Sequence, residues 1–335
     1  MPRSVIRFGA VMRALRLLLG ATAIGLMLVA PAGAAGPGPR TVAIFYYPWY
    51  GAPVLDGAYE QWSQNGHVPP GDIYSAYYPA RGAYSSSSRR VTDRQLDEIA
   101  RAGIDEVITS WWGPGSPTDE RLPSVLASAR RHGLLLAVHI EPYPGRTAAT
   151  VARDVTELAA DGITDFYVYD ADEIPAADWL AARATMPAVR LFAQTGRVGF
   201  AAAGGFQGVY TYDIVTYGGG KFARYCDQAH RVHLLCEPSV GPGYDAIRAD
   251  GDVQLKPRRH GATYDAMWTA ALASSPDAVT ITSYNEWGEG TQIEPARPRH
   301  GYRDYRGAWG LTGTAASDAY LDRTTYWTAR FHGRR

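Results

Sequence analysis

The chain has 335 residues, and its 33 basic and 33 acidic residues give it no formal net charge. A balanced chain carries no basic footprint for nucleic acid, so we do not expect nucleic acid as a partner. Its two cysteines and eight scattered histidines show no spacing that is typical of a zinc site. The sequence therefore indicates neither a metal nor another cofactor.

The first predicted element is a signal peptide over residues 1–34. Several arginines precede an apolar run at residues 17–30, and Ala32-Gly33-Ala34 supplies the small-residue site that signal peptidase requires. The run of about 14 residues is too short to cross a bilayer as a helix, although an uncleaved membrane anchor is the alternative interpretation. We therefore expect cleavage between Ala34 and Ala35 and a secreted protein, without a membrane span, over residues 35–335.

Short apolar strands alternate with helical stretches along most of the remaining chain. The predicted strands cover residues 41–47, 106–111, 134–141, 165–170, 189–194, 208–212, 232–238 and 278–284. The predicted helices include residues 92–102, 119–132, 147–161, 176–185 and 263–274. This alternation predicts a parallel sheet, and eight such units in roughly 250 residues predict an α/β protein with a single-domain (β/α)8 TIM barrel. A Rossmann-type sheet is the alternative, but no glycine-rich phosphate loop follows the first strand.

The segment between the first strand and the first helix, residues 48–91, is long for a barrel. Loops of this length are usually functional or ordered by their own contacts. Its aromatic residues predict a lid or a wall over the pocket, and they include Trp62, Tyr74, Tyr77, Tyr78 and Tyr84. The tail over residues 302–335 is expected to pack as a last helix.

Aromatic and acidic residues recur where the predicted strands end, and this edge carries the catalytic groups of such barrels. The candidates for substrate contact near these positions are Tyr46, Trp111, Glu141, Tyr212, Tyr244, Asn285 and Trp287. Trp and Tyr faces pack against the apolar side of a sugar ring, while carboxylates and amides bind its hydroxyl groups. The aromatic residues could instead fill the top of the barrel core, and Glu141 could pair with Arg146.

Two carboxylates, Glu286 and Glu289, follow the last predicted strand. Hydrolysis of a glycosidic bond needs an acid for the leaving oxygen and a second carboxylate at the sugar. Mutual repulsion and partial burial would raise the pKa of one of the two, so that it keeps a proton near neutral pH. The alternative is a pair of solvated loop residues. Because Asn285 and Trp287 flank Glu286, we expect the two glutamates to be catalytic.

Six sequence blocks occur in one order and together resemble glycoside hydrolase family 99, the endo-α-1,2-mannosidases and endo-α-1,2-mannanases. The blocks are residues 44–51, 110–113, 141–143, 210–212, 238–244 and 282–295. The resemblance implies a (β/α)8 barrel that cleaves α-mannosidic linkages internally, with retention and without a metal.

The resemblance also implies a role for each acid. Glu286 would take a proton from the 2-hydroxyl of the sugar, whose oxygen then attacks the anomeric carbon to give a 1,2-anhydro sugar. Glu289 would protonate the leaving oxygen and later activate water. The positions that match the sugar subsites of the family are Tyr46, Trp111, Glu141 and Tyr212.

The chain departs from the family pattern at several positions, including residues 215–220 and the segment after Asp170. Gly288 stands between the two acids, where the family commonly has a histidine, and Asp213 stands where it usually has a phenylalanine. We expect a monomer that acts on a mannose-containing glycan. The alternatives are a hydrolase of another α-linked polysaccharide on the same fold and a secreted, non-catalytic carbohydrate-binding protein. Cys226 and Cys236 could form a disulfide or remain free, and the sequence leaves this open.

Overall fold

The computed structural model describes residues 40–333, so the predicted signal peptide and its cleavage site lie outside the described residues. The strands are β1 (Thr41–Tyr46), β2 (Glu106–Trp111), β3 (Leu135–Ile140), β4 (Asp165–Val168), β5 (Arg190–Gln194), β6 (Gly208–Tyr210), β7 (Leu235–Glu237), β8 (Ser239–Val240), β9 (Tyr244–Asp245), β10 (Leu255–Lys256) and β11 (Ala278–Ile281). Nine of them form one sheet, and β9 and β10 form a separate antiparallel pair.

The nine-stranded sheet is parallel throughout and closes on itself. β1 pairs with β2 on one side and with β11 on the other. β7 pairs with β6, while β8 pairs with β11. Only Pro238 separates β7 from β8, and a proline has no N–H to donate to a strand ladder. The two short strands therefore occupy one position in the barrel, and the arrangement confirms the predicted (β/α)8 fold.

Most of the helices connect barrel strands along the outside. Their bounds are α1 (Pro53–Asp56), α2 (Arg89–Arg101), α3 (Pro117–Arg131), α4 (Ala148–Ala160), α5 (Ala176–Arg183), α6 (Val198–Ala203), α7 (Phe222–Arg231), α8 (Ala262–Ala273) and α9 (Ala319–Phe331). α4 begins where Thr147 and Thr150 cap each other, since each hydroxyl accepts the backbone N–H of the other residue. α3 ends before Gly133, whose φ of 70° favours glycine.

The barrel interior contains a cluster of buried carboxylates. Its members are Glu106, Asp165 and Glu237, and Arg190 pairs with Asp165. Glu237 accepts a hydrogen bond from the Tyr167 hydroxyl at 2.7 Å. Burial is the main reason why the pKa of Glu237 rises to about 8. This part of the core is thus stabilised by hydrogen bonds between neutral and charged groups as well as by apolar packing.

A disulfide and a last helix complete the fold. Cys226 of α7 and Cys236 of β7 are joined in a disulfide, which decides between the two states that the sequence leaves open. α9 lies within the tail where a last helix is predicted, and its Trp327 packs on Trp268 of α8 with the ring centroids 6.0 Å apart. Within residues 40–333, no helix combines the length and apolar character that a membrane span requires.

Candidate active site

The alternation of side chains along β1 decides which of its aromatic residues faces the cavity. Phe45 points into the barrel, where its ring packs against Tyr212. Tyr46 therefore points outward, is fully buried, and donates from its hydroxyl to Gln95 of α2 at 2.7 Å. Tyr47 lines the cavity instead. Tyr47 rather than Tyr46, which the sequence predicts as a sugar contact, thus faces the cavity, because successive strand residues face opposite sides.

The same alternation applies at the end of β2. Ser110 faces inward and donates to Glu141 at 2.8 Å. Trp111 faces outward and donates from Nε1 to Asp119 of α3 at 2.8 Å, so it does not line the cavity. The next residue, Trp112, lines the cavity and is 37% exposed. The ring available to a sugar is therefore that of Trp112 rather than that of Trp111.

The segment after β11 brings Glu286 and Glu289 into one cavity. Glu286 is 5% exposed, its N–H donates to Ser283 Oγ at 2.8 Å, and its Oε1 accepts the Gly288 N–H at 3.0 Å. Its Oε2 is buried and has no hydrogen-bond partner among residues 40–333. Glu289 is half-buried, and its carbonyl accepts the Asp245 N–H at 2.7 Å, which ties the segment to β9.

Burial raises the pKa of both glutamates. The pKa of Glu286 lies well above its ordinary range, because burial and the charge of Glu289 outweigh the backbone N–H groups that stabilise the carboxylate. At Glu289, burial followed by the charges of Asp213 and Glu141 raises the pKa to about 8. Neighbouring carboxylates titrate as a pair, so the pair retains a proton near neutral pH. Since backbone donors stabilise the charge at Glu286, we assign that proton to Glu289.

A third carboxylate, Glu141, lines the same cavity just after β3. Its Oε1 accepts the Ser110 hydrogen bond and lies 3.0 Å from Nδ1 of His139, although that contact lacks hydrogen-bond geometry. His139 Nε2 is held by the Tyr210 hydroxyl at 2.8 Å. Arg146, the alternative partner of Glu141 in the sequence, donates instead to backbone carbonyls after β4. Glu141 is thus held by neighbours inside the barrel and faces the cavity.

Asn285 and Trp287, which flank Glu286, are fully buried and do not line the cavity. Asn285 accepts the Tyr47 N–H at 2.8 Å and donates to the Tyr47 carbonyl at 2.9 Å, which ties the ends of β1 and β11 together. Trp287 donates from Nε1 to the buried carboxylate of Glu294 at 2.8 Å. Both side chains thus bond to neighbouring parts of the protein and do not face the cavity, where the sequence predicts a substrate contact.

Tyr212 lines the cavity, as expected, with an unusual backbone conformation. Its φ of 41° lies in the left-handed region, which costs free energy for a residue with a side chain. Ser239 Oγ accepts its N–H at 2.9 Å, and Thr282 donates to its carbonyl at 3.0 Å. Its hydroxyl lies 2.5 Å from that of Tyr47. The surrounding strands thus hold both phenols at the cavity wall.

The cavity with both acids has a volume of about 370 Å³, and a second cavity of about 150 Å³ lies beside it. Both are lined by Tyr169, Tyr212 and Glu289, and Tyr244 lines the smaller one. Among the described residues, no lysine or arginine lines either cavity. Aromatic rings and carboxylates without a cation suit a neutral sugar. Two larger surface clefts, of about 840 and 1040 Å³, contain neither Glu286 nor Glu289.

Several residues that line the cavity are not among the substrate contacts that the sequence predicts. They are Tyr47, Trp49, Gln61, Gln64, Trp112, His139 and Tyr169. The alternation of side chains along β1 and β2 could have predicted that Tyr47 and Trp112 face the cavity. Nε1 of Trp49 is buried and, within the described range, lacks a partner. The loop over residues 48–91 supplies Gln61, Gln64 and Tyr74 to the wall. Across residues 40–333, no group of three His, Cys, Asp or Glu side chains is placed to hold a metal ion.

Proteins of known family resemble this chain in sequence and in structure. The family profile described as Glycosyl hydrolase family 99 matches residues 39–333. The chain is 30% identical to a glycoprotein endo-alpha-1,2-mannosidase-like protein from Danio rerio, over 87% of this chain and 78% of that protein. It is 29% identical to the glycoprotein endo-alpha-1,2-mannosidase of Rattus norvegicus, over 87% and 74% of the two chains. The solved GH99 endo-alpha-mannosidase from Bacteroides thetaiotaomicron matches with a TM-score of 0.78 and 27% identity, over 87% of this chain and 97% of that one. The chain therefore belongs to glycoside hydrolase family 99 and is a glycoside hydrolase.

Proposed function

We propose that the protein is an endo-acting α-mannosidase that cleaves an α-1,2-linked mannan, or a related mannose-containing glycan, with Glu286 and Glu289. The observation that carries the proposal is that both acids line one cavity, where Glu286 keeps an unpartnered Oε2 and the pKa of Glu289 is about 8. A carboxylate oxygen that can accept a proton and a carboxyl group that retains one are the two groups that the reaction needs. The relatives that are named as mannosidases support mannose as the sugar.

In the first step, Glu286 takes the proton of the sugar 2-hydroxyl. The oxygen of that hydroxyl forms a bond to the anomeric carbon, while the bond from that carbon to the leaving oxygen breaks. Glu289 gives its proton to the leaving oxygen, so the released chain carries a hydroxyl group. The products are a 1,2-anhydro sugar, a protonated Glu286 and an ionised Glu289. No protein atom becomes bonded to the sugar.

In the second step, water opens the anhydro ring at the anomeric carbon. Glu289 takes a proton from that water, and Glu286 returns its proton to the oxygen at position 2. The anomeric carbon is inverted once in each step, so the product keeps the configuration of the substrate. The same two glutamates then carry their original protonation states into the next cycle.

Replacement of each acid tests this assignment. We expect Glu289→Gln and Glu286→Gln to lose about 10²- to 10⁴-fold in kcat on an α-1,2-linked mannan, because each removes one proton transfer. Glu120→Gln, on the exposed surface of α3, is the matched control and should keep wild-type activity. Near wild-type turnover by Glu289→Gln, with its folding confirmed by circular dichroism, would contradict the proposal.

A different α-linked polysaccharide is a second candidate substrate for the same acids. Asp213 in the smaller cavity and Gly288 beside Glu286 favour it, because both stand where the family usually carries larger side chains. A panel of linkage-defined oligosaccharides separates the two substrates. Cleavage confined to α-1,2-mannosides supports the first proposal, and preferential cleavage of an α-glucan supports the second.

We also propose that the enzyme is exported as a monomer after removal of residues 1–34. The disulfide between Cys226 and Cys236 supports export, since such bonds persist in oxidising compartments. Protein recovered from the culture medium should begin at Ala35 and elute at the mass of one chain. An intact start at Met1 in the membrane fraction would contradict this.

A further inference from the structure

Tyr74, from the loop over residues 48–91, lies directly beside the catalytic glutamate. The residue is 2% exposed, and its side chain lines the cavity together with Glu286 and Gly288. Its backbone N–H donates to the carbonyl of Trp62 at 3.2 Å, which holds the loop at this point. Burial, followed by the neighbouring charge of Glu286, raises the pKa of the phenol well above its ordinary value. The hydroxyl is therefore neutral and can donate a hydrogen bond.

The hydroxyl group of Tyr74 interacts with one backbone N–H, that of Gly288, and with one other hydroxyl group. Its closest hydroxyl partner is that of Tyr50, at 3.3 Å. The single proton of the Tyr50 hydroxyl goes to the Asn285 carbonyl at 2.8 Å, and its oxygen also accepts the Trp287 N–H at 3.2 Å. Tyr50 is thus occupied, and its long contact with Tyr74 is weak. A sugar hydroxyl in the cavity can replace this contact with a shorter one.

The ring of Tyr74 also explains why position 288 is a glycine. A Cβ added to Gly288 would lie 2.7 Å from Cε2 and 3.0 Å from Oη of Tyr74, and 3.0 Å from Oε1 of Glu286. The ring and the glycine are therefore complementary, since a side chain at position 288 needs the space that Tyr74 fills. The φ of Gly288 is not positive, so the requirement for glycine comes from this packing and not from the backbone.

We propose that Tyr74 is a further substrate-contacting residue, whose hydroxyl hydrogen-bonds the sugar on which Glu286 acts and whose ring occupies the space of a side chain at position 288. The sugar contact rests on the proposed function, whereas the packing of Tyr74 on Gly288 does not. Together they make Tyr74 and Gly288 one unit that shapes the cavity beside Glu286. Tyr74 thereby determines which sugar substituents fit at this wall.

The sugar contact is tested by binding. Titration calorimetry measures the affinity of an α-1,2-linked mannotetraose for the Glu289→Gln enzyme, with and without Tyr74→Phe. We expect Tyr74→Phe to weaken binding about three- to tenfold with an unchanged Tm, because one hydrogen bond is lost. Tyr326→Phe, on the exposed side of α9, is the matched control. Equal affinity with and without Tyr74→Phe overturns the contact.

The packing is tested by a double-mutant cycle. We expect Gly288→Ala to lower kcat/KM at least about tenfold, because its Cβ must displace the Tyr74 ring. In the Tyr74→Ala background the same substitution should cost less than about threefold. Gly199→Ala in α6 is the matched control, since no atom lies within 4 Å of its added Cβ. Equal effects of Gly288→Ala in both backgrounds, or a fully active Gly288→Ala, overturn the packing.

The outcomes also separate this inference from the proposed function. If the Glu289→Gln enzyme binds no α-mannoside, the proposed function fails and the sugar contact fails with it. If it binds but Tyr74→Phe has no effect, only the contact at Tyr74 fails. Should Gly288→Ala not fold alone, recovery of its folding by Tyr74→Ala, followed as Tm, supports the packing. Persistent unfolding of the double variant contradicts it.

Discussion

The raised pKa of Glu289 predicts how activity depends on pH. Glu289 is the proposed acid, so the reaction needs its protonated form, and activity falls as the pH rises through its pKa. With a pKa of about 8, roughly 90% of Glu289 is protonated at pH 7, whereas at its ordinary value of 4.5 only about 0.3% would be. The environment thus increases the active fraction about 300-fold at that pH.

Asp213 provides a way to change that pKa without removing the acid. Its negative charge is the first cause after burial that raises the pKa of Glu289. Asp213→Asn keeps the oxygen that accepts the N–H groups of Val215 and Thr216, so the local turn should persist. We expect the pKa of Glu289 to fall by about one unit. At pH 8 the protonated fraction then drops from about 50% to about 10%, or roughly fivefold.

The assay is kcat/KM on an α-1,2-mannan between pH 5 and 9.5, which reports on the ionisations of the free enzyme. The wild-type profile should decline with a midpoint near pH 8, and that of Asp213→Asn near pH 7. Asp227→Asn, on the exposed face of α7, should leave the midpoint unchanged. A wild-type midpoint below pH 6, or an Asp213→Asn profile identical to that of the wild type, refutes this account of the acid.

Three further predictions concern stability and are measured by urea unfolding. Glu294→Ala removes a buried carboxylate that pairs with Arg81, so we expect a loss of about 3–5 kcal/mol, whereas a loss below about 1 kcal/mol would show that the pair matters little. Cys226→Ser opens a disulfide with a sequence separation of 10 residues and should cost about 3 kcal/mol, and dithiothreitol should destabilise the wild type but not this variant. Glu237 has a folded pKa raised to about 8, so its stabilising protonated state is fully present below about pH 4.5 and lost as the pH rises through 8. The free energy of unfolding of Glu237→Gln should therefore change less between pH 5 and 8 than that of the wild type, by on the order of 4 kcal/mol. A pH dependence equal to that of the wild type would contradict this.

The order of the barrel strands and the position of the acid pair could be predicted from the sequence, because both depend on local patterns. Apolar runs alternate with helical segments, and Glu286 and Glu289 follow the last run directly. It was harder to predict which side chains of each strand face the barrel interior. At the end of β1, Phe45 and Tyr46 are followed directly by Tyr47, so hydrophobicity does not reveal that Phe45 and Tyr47 face inward while Tyr46 packs on α2.

Contacts between distant parts of the chain could not be predicted. Asn285 and Trp287 are of residue types that commonly contact sugars, but both are buried by residues that lie far away in the sequence. Asn285 bonds to Tyr47, 238 residues earlier. Likewise, Gly288 reads as a departure from the family pattern until Tyr74 is seen to fill the space beside it. The position of Tyr74 depends on how the loop over residues 48–91 folds over the barrel, which no local pattern specifies.

The central claim is that Glu286 acts through the 2-hydroxyl of the sugar, and a substrate without that hydroxyl tests it most directly. The measurement compares an α-1,2-mannoside with its analogue that is 2-deoxy at the cleaved sugar, with product release and the intact mass of the enzyme followed together. A 2-deoxy glycoside is intrinsically easier to hydrolyse, because it lacks an electron-withdrawing hydroxyl beside the anomeric carbon. We predict that the enzyme cleaves the parent with retention, leaves the 2-deoxy analogue uncleaved, and never gains the mass of a bound sugar. Cleavage of the analogue, or a sugar adduct on Glu286, would contradict the account.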